Sequence, residues 1–314
     1  MTASFRHQPV MVDQVADLMA AVPPGVMVDA TVGAGGHAKA VLDRHDGLDL
    51  IGIDRDTHAI EASTETLAPY GDRVTLRHAR FDALADTVHE LGHTEVSGVL
   101  FDLGVSSHHL DDAGRGFSFR HDGPLDMRMD PTQSRTASDV VNGYSADELT
   151  SILSEHSDER FARRVARAIV AARPLTTTGE LADVVRDAIP AAARRRGGHP
   201  ARRSFQAIRI EVNDELEPLP DALDQAVELL APGGRGAVLA YHSGEDRITK
   251  DRFRAAATAP CICGPLAPCT CGAEPAVKLL TRRPTRPDAE EVERNPRAAS
   301  ARLRAVEKLP QDRS

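Results

Sequence analysis

The chain of 314 residues has a formal net charge of −9, 41% hydrophobic and 4% aromatic residues, and no tryptophan. That balance suits one large or two ordinary packed domains. It excludes a protein that coats nucleic acid indiscriminately, because such binding is driven by neutralising phosphates, and the shortage of aromatics excludes broad base-stacking platforms. No run approaches the ~18 apolar residues of a membrane-spanning helix. The opening "MTASFRHQPV" lacks the basic-then-apolar pattern of a secretory signal, so the cytoplasm is the expected compartment.

In chain order, "MVDQVADLMAAV" has helical spacing and stops at Pro23, Pro24 and Gly25. The apolar, β-rich runs "VMVDATV", "LDLIGID", "RVTLRHA" and "SGVLFDLG" then alternate with helical segments such as "THAIEASTETLAPY" and "DALADTVHELG". This is the pattern of β-α units on a parallel sheet. After "DLGVSS" the alternation breaks into loop-like "DDAGRGFSFRHDGPLDMRMDPTQ". The helical patterns "SADELTSILSEH", "DERFARRVARAIVAA", "TTGELADVVRDAI" and "ARRSFQAIRIEVNDEL" follow. The alternation resumes with "LDQAVELLAPGGRGAVLAYHS", read as helix, glycine turn and strand, and with the helical "EDRITKDRFRAAA". "AVKLLTRRP" and "SARLRAVEKL" read as an antiparallel pair at the sheet's edge. The expected organisation is an α/β domain over 1–108 and 213–314, interrupted by a mainly helical insertion over 109–212.

The first β-α turn, "VDATVGAGGHAKAV", poses the functional question. Gly33, Gly35 and Ala38 satisfy the dinucleotide fingerprint G-x-G-x-x-[GA], and Asp54 lies at about the ~20-residue offset of a ribose-binding acid. A nicotinamide enzyme is therefore the first reading. Ligands of open parallel sheets sit outside the carboxyl ends of the strands, and here those ends carry Asp29, Asp54, Asp82 and Asp102. Two like charges ~4 Å apart repel by about 4 kcal/mol at an intermediate dielectric, so such a crevice disfavours a pyrophosphate. S-adenosylmethionine has no phosphate and carries a sulfonium and an ammonium. It offers ribose hydroxyls and an adenine amine as donors, which suits carboxylates. Gly35 and Gly36 would permit close backbone approach to its methionine carboxylate. Asp54 would accept from the ribose, Phe81 and Asp82 would flank the adenine, and Asp102 would face the reacting end.

The motifs "TVGAGGH", "DLGVSS", "LDDAGRGFSFRHDGPLDMRMDP", "ERFARRVARAI", "FQAIRIEVNDEL", "LAPGGR", "HSGEDR" and "NPRAASARLRAVEK" together resemble the MraW-type methyltransferases from about residue 7 to residue 308. That resemblance implies a Rossmann-like class I methyltransferase sheet with an inserted helical domain. It also implies methyl transfer from S-adenosylmethionine to N4 of a cytidine in small-subunit (16S) ribosomal RNA, naked or in an assembled or nearly assembled subunit. By matching motif it carries the cofactor contacts to Gly35, Gly36, His37, Asp54, Phe81, Asp102 and His109. The family usually has Gln at the position of His109 and Leu at that of Gly244.

"DLGVSS" resembles in position and role the fourth-strand motif of amino-methyltransferases, which makes Asp102 the candidate catalytic group, together with the following backbone carbonyls. An exocyclic amine is a poor nucleophile, so it must be held in line and its N–H groups accepted as positive charge develops. In "GFSFRHDGPLDMRMDP" Phe117 or Phe119 could stack on the target base and Arg128 could contact it. The same run could equally be a lid packed by Met127 and Met129. For RNA attraction, Arg194, Arg195, Arg196, Arg202 and Arg203 are the favoured phosphate contacts, while Arg163, Arg164 and Arg167 read as a solvated face balanced by neighbouring acids. All four cysteines fall in "CICGPLAPCTCG". Their C-x-C spacing departs from that of zinc sites, and no metal is assigned. The remaining rivals are a nicotinamide dehydrogenase and a catalytically inert RNA-binding factor.

Overall fold

The computed structural model describes residues 9–194, 198–259 and 274–310. These divide into two compact units, one made by the chain up to Gly104 and from Pro218, the other by Val105–Glu217.

The first unit opens with α1 (Val12–Met19), β1 (Gly25–Asp29), α2 (Gly36–Leu42), β2 (Leu48–Asp54), α3 (Thr57–Leu67), β3 (Val74–His78), α4 (Leu84–Glu90) and β4 (Val96–Asp102). The second unit contributes α5 (Ser107–Asp111), α6 (Ala137–Gly143), α7 (Ala146–Ser157), α8 (Ala162–Ala172), α9 (Thr178–Ala188), α10 (Ala191–Arg194) and α11 (Arg202–Asn213). The first then resumes with α12 (Leu219–Leu229), β5 (Leu230–Ala240), α13 (Ser243–Ala256), β6 (Val277–Leu279), α14 (Ala289–Arg294) and β7 (Arg302–Lys308).

Seven strands form one sheet in the order β3-β2-β1-β4-β5-β7-β6. β1, β2, β3, β4 and β5 are mutually parallel, and β7 runs antiparallel to both its neighbours. This is the class I methyltransferase order, and the edge pair is antiparallel as its sequence indicates. The central strands are apolar on both faces because helices cover both. Met27, Leu50, Leu100 and Leu239 pack on one side with Val15 and Met19 of α1 and Val41 of α2. Val28, Ile53, Val99 and Val238 pack on the other with Val88 of α4, Leu223 of α12 and Phe253 of α13.

The second unit has its own core, in which Leu149, Leu153, Val165, Ile169, Leu181, Val185 and Ile208 meet. Its helix starts are written locally. Thr136 with Asp139, Ser145 with Glu148 and Thr177 with Glu180 form reciprocal caps on α6, α7 and α9. The long run before α6 is part of this core: Phe117, Leu125, Met127 and Met129 are buried. Asn213 pins it, accepting from the Met129 N–H and donating to the Met127 carbonyl, both at 2.7 Å.

Three details differ from the sequence reading. The helical unit spans Val105–Glu217 rather than 109–212. At its end the Arg209 guanidinium grips Glu215 in two 2.9 Å bonds, which ties the turn after α11 to the helical unit. Helix α14 forms in a stretch read as a connection and α6 in one given no element, each started by a capping side chain, Asp288 or Thr136. The glycine turn of "LAPGGRG" lies within β5 as an irregularity opposite Val96 and Gly98, with Gly233 at φ +78°.

Candidate active site

Because β1, β2 and β4 are parallel, their last residues Asp29, Asp54 and Asp102 share one edge of the sheet, and Tyr241 follows the end of β5. The glycine turn after β1 is bound to β2 through both backbone and side chain. The Val32 N–H donates to the Ile53 carbonyl and the Gly33 N–H to Asp54 Oδ2, each at 2.8 Å. Asp54 Oδ1 accepts from the Asp56 N–H at 2.9 Å. Asp54 therefore fixes the turn while lying only partly buried. Gly35 adopts φ +81°, a conformation that favours glycine. Gly36 is small for a different reason from the one its motif suggests: a Cβ there would lie 2.3 Å from Cγ of Pro9, so close packing of the preceding segment already forbids a side chain.

Asp102 is the most elaborately held acid. Tyr241 donates its hydroxyl to Asp102 Oδ1 at 2.7 Å, and His37 Nδ1 lies 3.4 Å from Oδ2. The Asp102 N–H donates to Thr31 Oγ1 at 2.6 Å, which fixes the end of β4 to the turn after β1. Burial, the largest influence, and the adjacent Asp102 charge raise the Tyr241 phenol well above its ordinary value, so it stays a donor. His37 is buried with Nε2 2.9 Å from the Val10 carbonyl. Since a carbonyl only accepts, Nε2 carries a proton, and a second proton on Nδ1 is what Asp102 favours. Burial, again the largest influence, works against this cation. The hydrogen bond and charge of Asp102, assisted by Asp29, outweigh it and raise the His37 value. Both nitrogens of the ring expected to touch a cofactor are thus engaged within the protein, one by Val10 and one by Asp102.

Asp29 is 1% exposed. Burial raises its carboxyl from 3.8 to about 7, against the lowering effects of His37 and the Thr31 N–H, with Asp102 and Asp54 adding to the rise. The folded protein holds this proton where the unfolded chain has released it. Stability falls with rising pH wherever the folded state binds more protons. The contribution of Asp29 is therefore present below about pH 4 and lost by about pH 7. His37, whose value is also raised, contributes stability that is lost as pH rises through its folded value, above the ordinary 6.5. Asp29→Asn keeps an acceptor for the Thr31 N–H and cannot ionise. Urea-unfolding curves from pH 4 to 8 should show the variant gaining on the parent across that window, and parallel pH dependences would contradict this account.

The run "HSGEDR" builds the turn that carries Tyr241. Glu245 Oε2 accepts from the Tyr241 and His242 N–H groups at 2.7 and 3.2 Å, and His242 caps α13. Asp246 joins Arg302 and Arg304 of β7 at 2.8 and 2.7 Å. Gly244, where the resemblance leads one to expect Leu, donates its N–H to His242 Nδ1 at 3.2 Å. Phe81 is partly buried and meets Phe101 edge-on at 6.2 Å. The neighbouring Asp82 is 3.1 Å from Arg80 Nε.

The remaining expected residues belong to the second unit. His109 is buried against Phe117, with ring centroids 4.7 Å apart, and its Nδ1 accepts from the Ser106 N–H at 3.1 Å. The neutral ring therefore carries its proton on Nε2. Phe119 stacks on His199 at 4.5 Å and meets Phe205 edge-on. Phe117, Phe119, Met127 and Met129 accordingly serve internal packing. Arg128, expected to contact substrate, clasps both oxygens of Asp126 and donates to the carbonyls of Pro131 and Gln133. Four of its five N–H donors are thus used within its own loop. Arg194 lies 3.6 Å from Asp187, Arg203 donates to the Asp158 carbonyl at 2.9 Å, and Arg202 is exposed. Arg195, Arg196 and the cysteine cluster lie outside the described residues. Among the described residues, no group of three or more His, Cys, Asp or Glu is placed to hold a metal, and no helix is long and apolar enough to cross a membrane.

Tyr241, Thr31 and Glu245 were not singled out from sequence. Tyr241 was accessible by the strand-end rule that selected the acids, had the rule been applied to "AVLAY" as well as to strands ending in a carboxylate.

The chain matches the model of the MraW methylase family over residues 4–309. It is 53% identical over 311 residues to ribosomal RNA small subunit methyltransferase H of Thermobifida fusca, covering 96% of this chain and 93% of that one. The corresponding protein of Acidothermus cellulolyticus is 53% identical over 309 residues, covering 96% and 94%. That of Symbiobacterium thermophilum is 49% identical over 312 residues, covering 98% of each.

Proposed function

The chain belongs to the MraW methylase family, and from that premise we propose that it transfers a methyl group from S-adenosylmethionine to the N4 amine of a cytidine in small-subunit ribosomal RNA. The carrying observation is the acid-lined edge of the sheet: Asp54 braces the glycine turn through the Gly33 N–H, and Asp102 is held between Tyr241 and His37. This donor set fits the cofactor, since carboxylates complement ribose hydroxyls and positive charge and oppose a pyrophosphate. When bound, S-adenosylmethionine supplies an electrophilic methyl on its sulfonium.

Asp54, besides bracing the turn, accepts from the ribose hydroxyls. Gly36 brings its backbone N–H to the methionine carboxylate, Gly35, whose own N–H is donated to the Val32 carbonyl, allows the close approach, and Phe81 lies beside the adenine. Asp102 binds at the reacting end and accepts an N4 hydrogen, orienting the nitrogen and stabilising the charge that develops on it. His37, Tyr241 and Thr31 are positioning residues that hold Asp102. His109 is assigned to the cofactor by its motif. The helical unit serves RNA recognition, with Arg194, Arg195, Arg196, Arg202 and Arg203 as its phosphate contacts. The substrate is the assembled or nearly assembled small subunit, and the compartment is the cytoplasm.

The test supplies the protein with methyl-labelled S-adenosylmethionine and with small-subunit RNA, naked or within subunits, from cells that lack this protein. Nucleoside analysis should find N4-methylcytidine, with more label in subunits than in naked RNA. Label on another base, or none in either substrate, would refute the assignment. Calorimetric binding of NAD in preference to S-adenosylmethionine would restore the dehydrogenase reading.

A further inference from the structure

The arginines of α8, which sequence suggests are a solvated face balanced by acids, are not balanced in the fold. Ala162, Val165, Ala166 and Ile169 turn into the core, while Arg160, Arg163, Arg164 and Arg167 are exposed. Among the described residues, none of these four guanidiniums has an ion pair or hydrogen bond. Other arginines of the unit are committed: Arg128 to Asp126 and Arg209 to Glu215. Beside the unpaired group, α7 and the start of α8 border an open groove of about 460 Å³ lined by Thr150, Ser154, Arg160, Phe161, Arg163 and Arg164. The acid lining it, Glu159, is buried and accepts from the Phe161 N–H at 2.9 Å. A half-buried aromatic ring between unpaired guanidiniums and hydroxyls is the composition of a single-stranded nucleic-acid site, in which bases stack and phosphates are neutralised.

We propose that this groove binds a nucleotide of the RNA substrate other than the target, with a base on Phe161, its flanking phosphates on Arg163 and Arg164, and its ribose at Ser154. The inference rests on the RNA-methylation reading and gives it a second point of attachment. It adds α8 to the substrate grip, in a chain whose overall charge opposes RNA. Guanidiniums with no carboxylate partner break no ion pair when a phosphate arrives, unlike those already paired.

The test measures binding of a small-subunit RNA transcript across a salt series. Arg163→Glu with Arg164→Glu should weaken binding at low salt at least tenfold and flatten the log–log salt slope by about 1.5, at roughly 0.7 to 0.9 for each phosphate no longer neutralised. Arg163→Gln with Arg164→Gln should flatten it equally, and serves if the charge reversal does not fold. Phe161→Leu should weaken binding by roughly tenfold with the slope unchanged, because stacking is removed while the charges stay. S-adenosylmethionine affinity should stay parental throughout. Parental RNA affinity and slope in both arginine variants would overturn the inference. So would intact RNA binding with methylation abolished only on assembled subunits, which would indicate a protein partner at this groove. A parent protein that methylates no small-subunit RNA would instead refute the enzymatic reading.

Discussion

Asp102→Asn is expected to slow single-turnover methyl transfer by on the order of a hundredfold or more, the scale seen when one preorganised transition-state interaction is removed. The substitution keeps the size of the side chain and removes its charge and one acceptor. Tyr241 offers Oδ1 a hydroxyl hydrogen and His37 lies opposite Oδ2, so the asparagine oxygen can satisfy Tyr241 only by turning its amide nitrogen toward His37. The imidazole then loses its reason to hold a second proton, and its titration, followed by NMR, should move down. The amide also presents a donor where the N4 amine needs an acceptor. RNA affinity should remain parental, because the arginines of α8 are untouched. A near-parental transfer rate with the His37 shift present would leave Asp102 a positioning role alone and move the interaction with the amine to the carbonyls of Leu103 and Gly104.

Asp54→Ala should weaken S-adenosylmethionine binding by roughly 10- to 150-fold, corresponding to the ~1.5–3 kcal/mol of a charged hydrogen bond. The carboxylate also accepts from the Gly33 and Asp56 N–H groups, so the loss includes loosening of the glycine turn. Asp54→Asn distinguishes the two parts, since one amide oxygen can retain the Gly33 bond. Calorimetry should place its affinity between those of the parent and the alanine variant. Parental affinity in a folded alanine variant would remove Asp54 from the cofactor site.

The sheet was legible because strands covered on both faces leave near-continuous apolar runs, as in "LDLIGID", whose span β2 occupies in full. The helices of the second unit were legible from their 3.6-residue period and their caps. The short helices α6 and α14 were not, because six or seven residues carry too little periodicity to stand out from turn-rich surroundings. At the site, Asp29, Asp54 and Asp102 could be read because each ends a strand. What each acid touches could not, since the partners of Asp102 come from α2 and from the end of β5, and only folding sets them side by side. The role of Arg128 likewise depended on a loop that folds back on itself. The standing of the α8 arginines depended on which acids find other partners, a question of three-dimensional competition that composition does not answer.

The bond from Tyr241 to Asp102 spans 139 residues of sequence. The helical unit is therefore made between the acid and its donor. At about 5–20 residues per second of synthesis, the acid waits on the order of 7–30 s for its phenol. The neighbours that β1 and β2 provide are already made by then. An N-terminal fragment released during that interval would carry Asp29, Asp54 and the glycine turn but an unbraced Asp102. Competence for transfer thus comes late on the growing chain, after the segment that would grip RNA has been synthesised in full.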